Sequence, residues 1–73
     1  MDTAAVNEAI RLCLSEIHSR LNRAAQIAKA AEACASAGSI AEAVAVSMDI
    51  EQLIYKAGRL QDAASLMNRL SQE

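Results

Sequence analysis

The sequence predicts an all-α protein, an antiparallel helical hairpin of two long helices that turns at Gly38 and associates into a four-helix bundle. Three observations predict it. There is no proline and there are only two glycines, so little interrupts a helix. Apolar residues recur at alternating spacings of three and four on both sides of Gly38. Ala37-Gly38-Ser39 joins the two runs with a helix stop followed at once by a helix start.

Asp2 or Thr3 is placed to cap the first helix. From Ala4 to Ala37 the seam reads Ile10, Leu14, Ile17, Leu21, Ala24, Ala28, Ala31 and Ala35, bulky at first and all alanine later. Glu16 and Arg20 make a favourable i,i+4 pair, expected on the outside. Gly38 has no Cβ and suits the left-handed conformation that ends a helix. Ser39-Ile40-Ala41-Glu42 then fits a capping box. The second seam reads Ala43, Val46, Ile50, Leu53, Ala57, Leu60, Ala64 and Met67. It passes Gly58 without a change of phase, and no Ser, Thr, Asp or Asn at 57–59 offers a new start. One helix from Ile40 to about Leu70 follows, with Gly58 inside it at a cost of about 1 kcal/mol.

Folding the chain about Gly38 sets Ala35 against Ala43, Ala31 against Val46, Ala28 against Ile50 and Ala24 against Leu53. Further out, Leu21 meets Ala57, Ile17 meets Leu60, Leu14 meets Ala64 and Ile10 meets Met67. Small faces large in most layers, as a packed interface requires.

A competing arrangement comes from Ala57-Gly58-Arg59-Leu60-Gln61-Asp62-Ala63, which repeats Ala37-Gly38-Ser39-Ile40-Ala41-Glu42-Ala43 in altered form. The shared pattern resembles the turn between paired helices of tetratricopeptide-type repeats. That resemblance implies a three-helix bundle with a second turn at Gly58. It covers only seven residues each time, lacks the aromatic positions, and recurs at a shorter interval than that repeat's period of about 34 residues.

The length of 73 residues allows one small helical domain, 1–73. Over half of the chain is apolar, but much of that is alanine and the only aromatic is Tyr55, so a lone chain has a thin core. Chains below roughly 70–80 residues usually need a staple, a metal or a partner. Cys13 and Cys34 share the first helix about 30 Å apart, beyond disulfide reach. They fit a reducing compartment as small packed residues. The net charge of −2 argues against a general nucleic-acid or membrane binder. No apolar run approaches the roughly 18 residues of a span, and Met1-Asp2-Thr3 has no basic leader. A cytoplasmic protein is expected.

No catalytic constellation emerges. His18 is the only histidine and has no carboxylate four residues away on its helix, and a metal site needs three or four ligands. A reactive thiol wants a helix N-terminus or a basic neighbour, and Cys13 and Cys34 lie inside the helix. Glu8, Glu16, Asp49 and Glu51 read as a solvated face. No phosphate-binding glycine loop or nucleophile elbow is present. The expectation is no enzyme, no cofactor and no metal. The helix-Gly-helix element could read as a DNA-binding motif, but Ser39 to Tyr55 has no Lys or Arg, while Glu42, Asp49 and Glu51 would repel phosphate. Arg11, Arg20, Arg23 and Lys29 on helix one keep a small DNA-binding regulator as the alternative class.

Apolar surface is left over once the seam is filled: Val6, Leu12, Cys13, Ile27 and Cys34 on helix one, and Ile40, Val44, Ile54, Leu66 and Leu70 on helix two. Such patches mark interfaces. They predict a protein-interaction module that pairs with itself as a homodimer or serves as an adaptor or co-chaperone for a larger helical protein. Small hairpin co-chaperones of bacterial secretion systems are similar in size and shape, which is a likeness of architecture alone.

Overall fold

An unbroken helix, α1 (Thr3–Ser36), forms the first arm of the computed structural model, which describes residues 2–72. Nothing between its ends opposes a helix: it is rich in alanine and has neither glycine nor proline. Asp2 is its N-cap, and the Asp2 carboxylate accepts the Ala4 N–H at 3.0 Å. With 34 residues α1 runs about 51 Å, nearly the 54 Å length of the whole molecule.

The chain reverses at Gly38, whose φ is +91°. The Gly38 N–H donates to the Ala35 carbonyl and the Ser39 N–H to the Cys34 carbonyl, both at 3.0 Å. These two bonds close a Schellman motif, and they need a left-handed residue where Gly38 stands. The expected capping box does not form. Ser39 is the N-cap of the next helix, yet its side chain makes no cap bond. The Schellman motif also forecloses the reciprocal bond to Glu42. A capping box has the third helical residue accept the cap residue's N–H, and here that N–H already belongs to Cys34.

The second arm is α2 (Ile40–Ser47) followed by α3 (Asp49–Ser71). It was expected as one helix and is instead bent at Met48. The Ser47 hydroxyl donates to the Val44 carbonyl at 2.7 Å. That carbonyl would otherwise accept the Met48 N–H, which turns to Ala45 at 3.3 Å. Serine back-bonding of this kind bends helices. Met48 keeps right-handed helical angles, φ −61° and ψ −29°, so the arm continues beyond the bend. Gly58 lies inside α3 and its φ is not positive. The three-helix alternative, with a second turn at Gly58, is therefore not what the chain adopts.

α1 packs against both α2 and α3. On the second arm every expected seam residue, from Ala43 to Met67, turns inward. On α1 the expectation needs correction. Ile10, Ile17, Ala24, Ala31 and Ala35 turn inward, but Leu14, Leu21 and Ala28 are exposed, and Cys13, Arg20 and Ile27 take their places with Val6 and Cys34. Two helical frames share Ile10, Ile17, Ala24 and Ala31. One adds Val6, Cys13, Arg20, Ile27 and Cys34; the other adds Asn7, Leu14, Leu21, Ala28 and Ala35. Their apolar content is nearly equal, and the frame adopted gains Val6 and Ile27 at the cost of two leucines. Counted outward from the turn at alternating spacings of three and four, inward positions run from Cys34 to Val6 on α1 and from Ala43 to Ser71 on the second arm. The most buried residues are Val6 and four alanines, Ala24, Ala43, Ala57 and Ala64. These small side chains are covered by their neighbours to within 5–8% of their surface.

The result is a rod of 54 × 14 × 11 Å. Its radius of gyration is 16.8 Å, against about 11 Å for a compact chain of this length. It exposes 5370 Å², where a compact protein of its mass exposes about 4300 Å². The excess is roughly 1000 Å².

Candidate partner interface

The seam divides the rod into two broad sides, and helical spacing assigns each residue to one of them. Glu16 and Arg23 directly precede the inward residues Ile17 and Ala24, and Asp49 precedes the inward Ile50. All three line one groove, together with Ser19, Arg20, Gln52 and Leu53. The groove has a volume of about 370 Å³ and lies beside the bend of the second arm. Glu16 and Arg20 form their expected ion pair at 3.3 Å, but Arg20 is not on the outside. Its side chain is only 29% exposed, and its Nε is buried with no hydrogen-bond partner. Counting outward from the turn sets Arg20 level with Ala57, a small residue that would leave room for the long stem.

The other side is the reverse in character. Leu14, Leu21, Ala28 and Ala35 directly follow the inward residues Cys13, Arg20, Ile27 and Cys34. Helical geometry therefore turns them away from the groove. Ile40 and Ile54 occupy the equivalent line on the second arm, with Val44 next to it toward the outer edge. Leu14, Leu21, Ile40, Val44 and Ile54 are between 46% and 61% exposed. They form an apolar side that runs from Leu14 to the turn, while Asn7, Arg11, Gln61 and Asn68 make the same side polar at the open end.

The residues expected at a partner interface are distributed as follows. Val6 is buried in the seam, and Cys13, Ile27 and Cys34 are half-buried there. Ile40, Val44 and Ile54 are exposed on the apolar side. Leu12, Leu66 and Leu70 are exposed near the open end, on the groove's side of the rod. Leu14 and Leu21 were expected inside and are the additions. Their signal in the sequence was their bulk beside Cys13 and Arg20, which hydrophobic spacing alone assigned to the seam.

No other chemistry gathers. His18 is exposed, Cys13 and Cys34 are free thiols, and among the described residues no three of His, Cys, Asp and Glu come together as a metal site. The basic residues of helix one lie on different sides of it: Arg11 pairs with Glu8 at 3.3 Å, Arg20 enters the seam and Arg23 lines the groove. No helix of the described residues is long and apolar enough to cross a membrane. The fold is an all-α helical hairpin that exposes large apolar residues, five of them together on the side away from the groove. Comparison with protein-family models, characterised proteins and solved structures finds no match for this chain.

Proposed function

We propose that the chain is a non-catalytic helical interaction module whose apolar side packs against a helical surface. That surface belongs either to a second hairpin or to a larger protein that the chain serves as adaptor or co-chaperone. The observation that carries the reading is the exposure of Leu14, Leu21, Ile40, Val44 and Ile54 together on one side of the rod. The excess surface of roughly 1000 Å² compares with the ≈ 800 Å² that one partner contributes to a standard interface.

The test is the double variant Leu21→Asp with Ile54→Asp. Both residues are outside the seam, so the variant should keep its helical circular dichroism. It should lose association at least a hundredfold, read as self-association by sedimentation and as saturable binding of host protein by the immobilised full chain. Variant and parent that associate equally, or a parent that associates with nothing, would refute the proposal.

A further inference from the structure

Resting on that reading, we infer that the occupant of the apolar side is a second copy of this chain, packed antiparallel so that α1 lies on α1. One line of α1 carries the argument: Leu14, Leu21 and Ala28 are exposed on it, and Ala35 is half-buried at the edge of the seam. Leu14, Leu21, Ala28 and Ala35 follow one another at intervals of one heptad, with both large residues first and both small residues last. Reversing a second copy against this line sets Leu14 on the partner copy's Ala35 and Leu21 on its Ala28. Every layer then has one large and one small residue, the same arrangement that packs Ala24 against Leu53 inside the hairpin. A parallel arrangement sets α1 on the second arm instead, and brings Leu14 to the level of the polar Gln61.

The placement of polar residues agrees with the antiparallel arrangement. His18 and Glu32 lie one turn beyond Leu14 and Ala28 toward the outer edge of α1, both exposed. The same reversal brings His18 of each copy opposite Glu32 of the other. Ala25, between them, falls at the two-fold axis, where close approach needs a small residue. On the second arm the reversal places Ile54 beside its own counterpart and Gly58 opposite Ser47, with the Glu51 carboxylate at the outer edge.

The register makes a reciprocal swap the decisive experiment. In sedimentation equilibrium the parent chain should dimerise. Leu21→Ala opens a void against Ala28 of the other copy and Ala28→Leu forces two leucines together, so each alone should weaken the dimer about tenfold or more. The two together restore one large and one small residue per layer and should return affinity to within about threefold of the parent. All three variants change exposed positions and should keep the parent's helical content, which circular dichroism checks. A parent that stays monomeric at hundreds of micromolar would overturn the second copy as occupant. It would leave the apolar side to another helical chain, which the Leu21 and Ile54 variant reads separately through host protein. A dimer whose double variant is as weak as the poorer single variant would overturn the antiparallel register. Recovery of affinity in the double variant would support it, since a parallel dimer or a foreign partner presents no reciprocal site.

Discussion

The seam of the hairpin and its apolar outer side are built from the same residue types at the same heptad spacing, yet they should respond to substitution in opposite ways. In the seam the critical residues are the small ones. Ala24, Ala43, Ala57 and Ala64 are among the most buried in the molecule, where a larger side chain has no room. On the outer side the critical residues are the large ones, Leu14, Leu21 and Ile54, because the hairpin leaves about half of each exposed. The same alanine that is a tight contact inside is free space outside. What separates the two is one residue of helical phase, a rotation of about 100°.

The sharpest test of this contrast pairs Ala24→Leu with Ala28→Leu. Ala24 is 7% exposed, and the register counted from the turn sets it level with Leu53. A leucine there overfills the layer and should lower the unfolding free energy by about 1–3 kcal/mol. The same substitution at the exposed Ala28, measured at concentrations that keep hairpins apart, should change it by no more than about 0.5 kcal/mol. Equal losses in thermal or urea unfolding would break the distinction between the two surfaces.

Arg20 is the residue that blurs that distinction, being a charge inside the seam. Its partner Glu16 is half exposed, so their ion pair contributes little, and the buried Nε is unsatisfied. Arg20→Met keeps the long stem over Ala57 and removes the desolvated group. It should raise the unfolding free energy by about 1 kcal/mol. A lowered unfolding midpoint would mean that the guanidinium holds the groove wall of Glu16, Ser19 and Asp49 together more strongly than its single ion pair indicates.

The two arms differed in how fully the sequence disclosed them. On the second arm one frame is clearly more apolar, and every seam residue was legible from spacing alone. On α1 two frames compete, because Leu14 and Leu21 outweigh Cys13 and Arg20 locally while Val6 and Ile27 outweigh Asn7 and Ala28 at the ends. Hydrophobicity summed along the helix cannot separate frames that close, and pairing with the second arm decides between them. The turn at Gly38 was legible because only glycine suits a φ of +91°. The bend at Met48 was not, because it depends on the Ser47 hydroxyl choosing the Val44 carbonyl over solvent. The second arm's part of the apolar side, Ile40, Val44 and Ile54, was visible as surplus; the α1 part, Leu14 and Leu21, was hidden by its assignment to the seam.

Gly58 gives the smallest expected effect and joins stability to association. It is inside α3 with an ordinary helical φ, and a Cβ added there meets nothing within 4 Å. Gly58→Ala should therefore stabilise the hairpin by about 0.5–1 kcal/mol through the entropy of the unfolded chain. A destabilised variant would mean that Gly58 bends the chain as Gly38 does. The position also lies on the outer edge of the apolar side, one residue beyond the buried Ala57. If the glycine is there only by helical tolerance, association should be unchanged in the variant. If it lets Ser47 of a second copy approach closely, the same alanine should raise the unfolding midpoint while weakening the dimer. A helix-favouring substitution that improves the fold and impairs assembly would trace the cost of that glycine to the outer surface rather than to the seam.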